Sequence, residues 1–431
     1  MTTAGDGRLR FSLLALHFSP QRLSHPALST YLKTQRNNNQ TGDYPMKSII
    51  MCGVAAFGIP AVCAAQSSVT LYGIVDTTLS VTSNQGGKRN VQIVDGGPAL
   101  SRWGLQGSED LGNGLRAIFT LENGFNPNNG TLSQNNRLFG RQAFVGLASE
   151  RFGTFKAGRM YDSITTYVGP FGSAQSTIGS VTGHPGDVDD LVGSYRINNS
   201  VSYTTPDLAG FAATVMGSLG GQPGSISTNS TYSFGIRYAR GPFKAAAAYG
   251  NYNRPNTTMW DGTSTTLGVL LFSAPVFSGY ASANSLKITG IGAGYDVGDA
   301  AVNVNYTNYR FNGLGSDGGP NPMHFRDGTA AFNTVELNGR YFVSPALMLA
   351  GAYQFTNGAG VGGHGAQHYS QFSMIVDYFL SKRFDIYASA AYELANGTNS
   401  LGKPAVAAIN TVTPSSSNRQ ALVRIGMREK F

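Results

Sequence analysis

The last stretch of the chain decides the fold, and it reads Gln420-Ala-Leu-Val-Arg-Ile-Gly-Met-Arg-Glu-Lys-Phe431. Ala421, Val423, Ile425, Met427 and Phe431 fall on one face of an extended chain, whereas Arg424, Gly426, Arg428 and Lys430 fall on the other. Successive side chains of a β-strand point to opposite faces, so this alternation predicts a strand with one apolar and one polar face. The same period of two recurs from Val69 onward, which predicts an all-β protein.

Sixteen alternating segments of this kind can be counted along the chain. Their predicted bounds are 69–81, 99–109, 114–126, 136–149, 152–161, 195–205, 210–219, 230–240, 242–252, 285–296, 300–311, 331–343, 346–356, 367–380, 384–394 and 418–431. Short turns alternate with long loops, and the long loops run near 161–194, 253–284, 312–330 and 395–417. An even number of strands of about ten residues, with short periplasmic turns and long extracellular loops, is typical of outer-membrane barrels. The sequence therefore predicts a sixteen-stranded antiparallel transmembrane β-barrel.

The composition agrees with a barrel that faces lipid. Only 13% of the residues are charged, which is about half of the roughly 25% usual for soluble domains. The 56 glycines follow no Gly-X-Y period, which excludes collagen. No apolar run reaches the roughly 20 residues of a membrane-spanning helix. A closed barrel pairs every backbone group in lipid, and sixteen strands enclose a water-filled lumen.

The N-terminal part differs from the rest. A basic start at Met46-Lys47, an apolar run and the ending Val62-Cys-Ala-Ala65 predict a secretory signal peptide over 46–65, with a buried core helix as the alternative. Residues 1–45 lack strand alternation, so we expect a start codon assigned too early, with a genuine extension as the alternative. Without residues 1–65 the formal net charge falls from +8 to +4, and no basic cluster interleaved with aromatics remains. A nucleic-acid partner is therefore not expected.

Aromatic residues concentrate near the predicted strand ends. They include Phe125, Tyr161, Tyr203, Tyr252, Phe311, Tyr341, Phe355, Tyr378 and Phe431. Outer-membrane barrels carry aromatic girdles at both membrane interfaces, so we expect these side chains to face outward. The alternative is that they fill the core of a half-exposed soluble sheet.

Three stretches resemble the general porins of Gram-negative outer membranes, most closely those of β-proteobacteria. They are Gln66–Asp76, with Gln-Ser-Ser-Val-Thr-Leu-Tyr-Gly-Ile-Val-Asp, Ser101–Leu115, which begins Ser-Arg-Trp-Gly-Leu-Gln-Gly-Ser-Glu-Asp, and the terminal Val423–Phe431. The resemblance covers residues 66–431. It implies a homotrimer of sixteen-stranded barrels in the outer membrane, surrounded by lipids and lipopolysaccharide. It also implies that the barrel-insertion machinery recognises Phe431.

The resemblance further implies a pore constriction. In such porins the third extracellular loop, here Asp162–Ser194, folds into the barrel, and basic residues of the wall face it. The matching basic positions are Arg102, Arg141 and Arg196. The alternation by itself places Arg102 and Arg196 on the inward face, whereas the alternation around Arg141 is imperfect.

The third loop departs from the enterobacterial pattern. Its stretch Gly169-Pro-Phe-Gly-Ser173 carries no carboxylate where the family pattern has one. The acidic candidates for the constriction are Asp162, Asp187, Asp189 and Asp190 in the loop, and Glu122 on the inward face of the third strand.

Other constellations predict no chemistry. His364 and His368 lie in glycine-rich surroundings that do not favour the helix on which such a spacing would bind zinc. Asp187-Val-Asp-Asp190 lacks the spaced oxygens and the glycine of an EF-hand. Gly290-Ile-Gly-Ala-Gly294 lies within a strand pattern and opens no helix, so it is not a phosphate-binding loop. No catalytic serine motif is present, and we expect no metal, no cofactor and no enzymatic activity.

Taken with the resemblance, these features predict a porin. We expect passive diffusion of ions and small hydrophilic solutes through a water-filled channel with a mild preference for anions. One alternative is a substrate-specific channel in the same barrel, for example a channel for organic anions. Another is a barrel that acts mainly as an adhesin or receptor through its long loops.

Overall fold

One antiparallel sheet of seventeen strands dominates the computed structural model, which describes residues 67–259, 271, 274–316 and 319–431. The strands are β1 Ser68–Gln85, β2 Lys88–Asp95, β3 Arg102–Gly112, β4 Leu115–Gly124, β5 Gln142–Ser149, β6 Gly153–Met160, β7 Ile197–Thr204, β8 Phe211–Ser218, β9 Thr231–Arg240, β10 Phe243–Asn253, β11 Ser285–Val297, β12 Ala300–Asn312, β13 Thr329–Ser344, β14 Leu347–Gly358, β15 Gln367–Phe379, β16 Phe384–Gly397 and β17 Arg419–Lys430. The predicted extension 1–45 and the predicted signal peptide 46–65 lie outside the described residues.

Helical structure is confined to the connections. Short α-helices lie at α1 Ser133–Asn136, α2 Ser173–Ser176 and α3 Pro255–Thr258. Further single turns lie at Ile164–Val168, Gly169–Phe171, Ser180–Thr182, Pro185–Asp187 and Ser278–Tyr280. In the described part of the chain, no helix combines the length and the apolar character needed to cross a membrane.

The sheet closes on itself where the first strand meets the last. β1 pairs with β17 from Ile74↔Lys430 to Thr82↔Leu422, and from β3 onward each strand pairs with the next. The lower half of β1, up to Ile74, pairs with β3, whereas its upper half, from Thr77, pairs with β2. β2 and β3 therefore share one position in the wall, so seventeen strands build sixteen barrel positions. The predicted sixteen-stranded barrel is confirmed.

The split of the second position has a local cause. Asp95 ends β2 and is followed by Gly96, Gly97 and Pro98 before β3 begins at Arg102. Gly96 adopts φ +73°, a left-handed conformation that glycine adopts without a steric penalty. Pro98 has no N–H to donate to a strand ladder. The sequence pattern predicts one strand over 99–109, so it misses β2.

Side chains alternate between lipid and lumen as predicted. In β17, Val423 and Ile425 are 51% and 61% exposed on the outer face, whereas Arg424 between them is 4% exposed. The aromatic girdle is only partly as predicted, because Tyr252 and Phe311 are fully buried inside the barrel, whereas several others are exposed. The exposed members are Tyr203, Tyr341, Phe355, Tyr378 and Phe431.

The apolar core lies inside the barrel, between the wall and the long connection from β6 to β7. This connection, residues 161–196, is loop 3, and it folds into the lumen as predicted. Its Val168 and Phe171 pack against β11, where Gly290 and Gly292 face them. A Cβ at Gly292 would lie 2.5 Å from the Phe171 ring, so these glycines let the loop approach the wall closely. The glycine-rich run of β11 is therefore a packing surface.

Candidate functional site

A cavity of about 740 Å³ lies in the lumen, between loop 3 and the wall built by β1, β3 to β6 and β17. The charged residues that line it, within the described part of the chain, are Arg102, Glu122, Arg141, Lys156, Arg196 and Arg428. The three arginines singled out from the sequence thus share one cavity with Glu122. Lys156 and Arg428 were not singled out there.

Glu122 lies between two of the arginines. Its Oε1 accepts a hydrogen bond from Arg141 Nε at 2.6 Å, and its Oε2 lies 4.0 Å from Arg102 Nε. Tyr72 Oη donates a third contact to Oε2 at 2.9 Å. Glu122 and Arg141 are both buried, and a buried carboxylate needs such partners to remain charged. This one carboxylate compensates about one of the two positive charges.

Arg196 lies at the end of loop 3 and has no carboxylate partner among the described residues. Its Nη1 donates to the Ser194 carbonyl and its Nη2 to Tyr161 Oη, each at 2.9 Å. The guanidinium also stacks over the Tyr161 ring, 4.9 Å from its centroid. Its buried Nε has no hydrogen-bond partner in the described structure. The contacts orient the guanidinium without neutralising it.

The two cations missed in the sequence differ from each other. Arg428 of β17 is neutralised, because it contacts Asp377 at 3.1 Å and Asp385 at 2.9 Å. Lys156 of β6 lies 4.9 Å from the Phe144 ring centroid and has no carboxylate within ion-pair distance among the described residues. Lys156 therefore contributes a second uncompensated charge to the cavity. The available signal was its place in a predicted strand that ends at loop 3.

None of the four loop-3 aspartates lines the cavity; all are buried within the loop or against the wall. Asp187 accepts hydrogen bonds from the backbone N–H groups of Val192 and Ser194 at 3.0 and 3.1 Å. Asp190 accepts one from the Tyr195 N–H at 2.9 Å. These carboxylates fix the conformation of the loop.

Asp162 also has structural partners, at the entry of the loop. It accepts a hydrogen bond from the Thr165 N–H at 2.9 Å and another from Tyr252 Oη of β10. Burial raises the pKa of Asp162, and burial together with the neighbouring Asp162 and Asp187 carboxylates raises the pKa of Asp190 well above its usual range. Burial and then the Asp189 charge raise the pKa of Asp187 to about 7.

Asp189 belongs to a buried charged cluster that joins loop 3 to the wall. His184 Nδ1 lies 2.6 Å from Asp189 Oδ2, and His184 Nε2 lies 3.1 Å from Glu336 Oε2 of β13. Thr307 Oγ1 of β12 donates to the same Asp189 oxygen. Burial alone would lower the pKa of His184, but the two carboxylates outweigh it and raise the pKa to about 10. His184 is thus an imidazolium at neutral pH and donates both N–H groups.

Further hydrogen bonds attach the rest of loop 3 to the same wall. Asn338 Nδ2 of β13 donates to the Phe171 carbonyl at 2.7 Å, and Gln371 Nε2 of β15 donates to the Val181 carbonyl at 2.9 Å. The Ser173 N–H donates to Glu336 Oε1 at 2.6 Å. These three wall residues lie 163 to 190 positions away in sequence from their loop partners, so no local pattern identifies them.

Phe431 lies where the barrel closes. Its N–H and carbonyl pair with those of Gly73 at 3.1 and 3.0 Å, and its side chain is half-exposed on the outer face. The ring covers Gly73, where a Cβ would lie 2.3 Å from the ring. The terminal residue is therefore part of the seam between β1 and β17.

Metal-ligating groups are not gathered anywhere in the described residues: no set of three or more His, Cys, Asp and Glu could hold an ion there. His364 lies in an outer loop beside Phe325, and His368 of β15 stacks on Phe355 of β14. Both histidines have packing partners.

Comparison with known proteins agrees with this architecture. The family model for Gram-negative porins matches residues 52–398. An outer membrane porin protein of Bordetella pertussis is 30% identical over 382 residues, which cover 80% of this chain and 94% of that protein. The outer membrane porin protein 32 of Delftia acidovorans is 37% identical over 179 residues, which cover 39% of this chain and 48% of that protein.

Solved structures match the fold over the whole barrel. The anion-selective porin from Comamonas acidovorans superposes with a TM-score of 0.67 at 21% identity, covering 85% of this chain and 100% of that chain. The trimer form of OmpT from Vibrio cholerae superposes with a TM-score of 0.58 at 13% identity, covering 85% of this chain and 99% of that chain. The chain is thus a member of the Gram-negative porin family, the channel proteins of the outer membrane.

Proposed function

We propose that the cavity beside loop 3 is the constriction of a water-filled channel that passes ions and small hydrophilic solutes and prefers anions. The observation that carries the proposal is the charge of the cavity lining, which has five basic residues and one acidic residue among the described ones. An ion about 4 Å from a unit charge in water gains about 1 kcal/mol, and low-dielectric walls focus the field further.

The net positive electrostatic field in the cavity is weaker than the number of basic residues alone implies. Glu122 compensates one charge of the Arg102 and Arg141 pair, and two aspartates compensate Arg428. The remaining charge comes from Arg196, Lys156 and the uncompensated part of the arginine pair. Salt screens what is exposed to water, with a Debye length of about 8 Å at physiological ionic strength. We therefore expect a weak to moderate anion preference.

Single-channel recording in a KCl gradient tests the proposal. We expect stepwise ohmic conductance and a reversal potential of the sign for chloride preference. Cation preference would contradict the charge argument. Conductance that saturates with one solute would favour the substrate-specific channel, and ligand binding without conductance would favour the adhesin or receptor.

We further propose that the mature protein begins near Gln66 and assembles as a homotrimer in lipid and lipopolysaccharide. The trimer is supported by the likeness to the trimer form of the Vibrio protein. Removal of residues 1–65 is supported by the signal-like run at 46–65. Mass spectrometry of outer-membrane material tests the removal, because peptides from residues 2–44 in assembled protein would contradict it. Native mass measurement tests the trimer, because a monomer mass would contradict it.

Phe431 is proposed to act in assembly through the barrel-insertion machinery rather than in conduction. It closes the seam on the outer face and does not line the cavity. Deleting it should lower the yield of folded, heat-modifiable protein while leaving the conductance of the assembled fraction unchanged. Normal assembly kinetics after the deletion would contradict the proposal.

A further inference from the structure

The outer face of the barrel carries two adjacent basic side chains near its extracellular end. Lys287 of β11 and Arg310 of β12 lie directly opposite each other in the ladder that joins the two strands. Both are exposed, whereas their chain neighbours Leu286 and Phe311 are buried on the inner face. Lys287 and Arg310, the basic pair, therefore point away from the lumen and are not part of the constriction.

The basic pair has no compensating charge. Within the described part of the chain, neither side chain has a carboxylate within ion-pair distance. Like charges directly opposite each other destabilise an antiparallel pair of strands. Arg and Lys are the side chains with which proteins recognise phosphate. A phosphate between Lys287 and Arg310 would therefore remove the repulsion that the pair creates.

Hydrogen bonds fix the orientation of the Arg310 guanidinium. Its Nε donates to Asn308 Oδ1 at 3.0 Å, and Asn308 Nδ2 donates to Asn333 Oδ1 at 2.9 Å. Tyr306 Oη donates to the same Asn333 oxygen at 2.7 Å. Among the described residues, the two Nη groups of Arg310 have no hydrogen-bond acceptor. They are therefore available to the oxygens of a ligand.

A row of polar side chains crosses the outer face of β11 to β16 just below the basic pair. Members of this polar row that lie on neighbouring strands pair across the ladders, and they are Thr289, Asn308, Asn333, Asn357, His368 and Asn396. The next row towards the middle of the membrane exposes Ile291, Val335 and Phe355 on the same face. An amide exposed to hydrocarbon is costly, so the polar row marks the level at which the lipid headgroups begin.

The basic pair lies within the headgroup layer. Lys287 and Arg310 are each two residues beyond the polar row, about 7 Å further along their strands. The headgroup layer extends about 5–7 Å beyond the hydrocarbon on each side of a bilayer. The amides of the polar row can both donate hydrogen bonds to sugar hydroxyls and accept them. Two cations above a row of amides fit a headgroup that is both a phosphate ester and a saccharide.

The exposed charges of the extracellular side are almost all basic. Within the described ranges, the exposed basic side chains there are Lys88, Arg89, Lys287, Arg310, Arg326, Lys403 and Arg419. Asp327 is the one exposed carboxylate on that side in the same ranges, because the other exposed acids lie on the periplasmic side. A second copy of this chain therefore offers few acidic groups to the basic pair, whereas an anionic lipid offers one in every headgroup.

We propose that the basic pair and the polar row bind the phosphorylated saccharide headgroup of the outer-leaflet glycolipid, lipopolysaccharide. A phosphate lies between Lys287 Nζ and the Nη groups of Arg310, and the exposed amides of the polar row bind sugar hydroxyls. The proposal deepens the lipopolysaccharide surroundings proposed above by naming the site, and it is independent of the anion preference of the channel.

Lipid binding by the refolded protein tests the proposal. The protein is refolded in detergent without bacterial lipid and titrated with bisphosphorylated lipid A, and bound lipid is counted by native mass spectrometry. We expect Lys287→Gln combined with Arg310→Gln to weaken binding about 30-fold. Lys382→Gln combined with Arg383→Gln, in an exposed periplasmic turn, is the matched control, because it removes the same charge. The control should bind lipid A as the natural protein does, and equal binding by the natural protein and the Lys287/Arg310 variant would overturn the proposal.

Three further probes identify the ligand. Lipid A without its phosphates should bind the natural protein as weakly as intact lipid A binds the Lys287/Arg310 variant. Phosphatidylglycerol, which has a phosphate but no saccharide, should bind more weakly than lipid A, and inorganic phosphate at millimolar concentration should not displace lipid A. Equal binding of phosphatidylglycerol would overturn the saccharide specificity, and displacement by inorganic phosphate would instead assign a site for the free anion.

Single-channel recording separates this proposal from the proposed function. The Lys287/Arg310 variant should keep its heat-modifiable mobility and the reversal potential of the natural protein, because both side chains lie outside the channel. A changed reversal potential would show that the pair acts on permeating ions, contrary to the proposal. Absence of chloride preference in the natural protein would refute the proposed function and leave the lipid-binding result unaffected.

Discussion

Two parts of the lumen wall use their polar residues differently. In the loop-bearing wall, β8 to β16, polar side chains hydrogen-bond to loop 3. These side chains include Glu336, Asn338 and Gln371. The open wall, β1 with β3 to β6 and β17, keeps basic side chains at the cavity, among them Arg102 and Lys156. One wall holds the loop, and the other faces the solute.

The difference shows that the acidic and the basic residues near the constriction occupy different environments. Acidic residues of loop 3 are buried in hydrogen bonds that fix the loop, and a buried carboxylate without such partners would be costly. Basic residues of the open wall line the cavity, where the Arg102 side chain stays partly exposed. Attachment and selectivity are therefore expected to respond to different substitutions.

The largest effect should come from breaking the loop-bearing wall at His184. His184→Gln removes the cation between Asp189 and Glu336, and breaking a buried pair from one side costs about 3–5 kcal/mol. We expect loop 3 to detach, with rapid current fluctuations and new protease cleavage within residues 161–196. His364→Gln, in an outer loop, is the control and should behave like the natural protein. Quiet channels and protection from protease in His184→Gln would contradict the role of the cluster.

Raising the pH should also weaken the attachment of loop 3 to the wall, but less than His184→Gln does. The pKa of His184 is raised to about 10 from its usual 6.5, so its charge stabilises the loop fully below pH 6.5 and ceases to do so as the pH rises through 10. The raised pKa of Asp187, about 7 against the usual 3.8, acts in the same direction at lower pH, because the stability from its protonated form is lost as the pH rises through about 7. We expect the current fluctuations to increase between about pH 9 and pH 11, the range around the pKa of His184. His184→Gln should abolish this pH dependence. The same pH profile in that variant would assign the transition to another group.

Replacing the three arginines predicted at the cavity should change selectivity while loop 3 stays attached. Arg102, Arg141 and Arg196 replaced together by Ser should shift the reversal potential towards cation preference by a several-fold permeability ratio, corresponding to about 1–2 kcal/mol. Conductance should also rise, because the constriction widens. An unchanged reversal potential would mean that these arginines do not determine selectivity.

Arg141→Ser alone should have an additional cost in stability. It leaves the buried Glu122 with only the distant Arg102 as a cationic partner. We expect a lower thermal unfolding temperature for Arg141→Ser than for Arg102→Ser, whose side chain is more exposed. Equal temperatures would contradict the unequal sharing of Glu122.

Lys156→Met should give the smallest effect. It removes one uncompensated charge from the open wall and keeps the length of the side chain, so we expect the chloride preference to fall about twofold. Lys244→Met is the matched control, because Lys244 is exposed, pairs with Asp296 at 2.5 Å and does not line the cavity. A decrease of the same size in both variants would point to the overall charge of the protein and not to the cavity.

The sequence predicts the barrel well because each strand has one face towards lipid. That face requires an apolar residue at every second position, and this alternation is visible in the sequence. It predicts Arg102 and Arg196 at the lumen for the same reason. It fails for β2, whose eight residues are separated from β3 by Gly96, Gly97 and Pro98, so that the two segments do not look like one barrel position. The girdle prediction fails at Tyr252 because its hydroxyl donates to Asp162 of loop 3, and at Phe311 because its ring packs against Phe277 and Tyr280 of the connection between β10 and β11.

The loop-3 aspartates mark the limit of sequence reasoning about the site. Their number and position are visible in the sequence, but the partners of Asp162 and Asp189 on β10 and β12 are not. An acidic residue in the sequence is equally compatible with a place at the pore and with a place in a buried hydrogen-bond network. Only the tertiary arrangement distinguishes the two.

The break between β2 and β3 separates two registers that an unbroken strand would couple. A one-residue insertion in a continuous strand exchanges its two faces along the rest of its length. Here β3 is aligned by its pairs up to Ile74↔Arg102 and β2 by its pairs from Thr77↔Asp95. Residues between 96 and 101 can therefore be added or removed without re-registering either strand. The segment 96–101, whose Pro98, Ala99 and Leu100 line the lumen cavity, is therefore a natural graft point, at which channels of different bore can be engineered on one unchanged barrel.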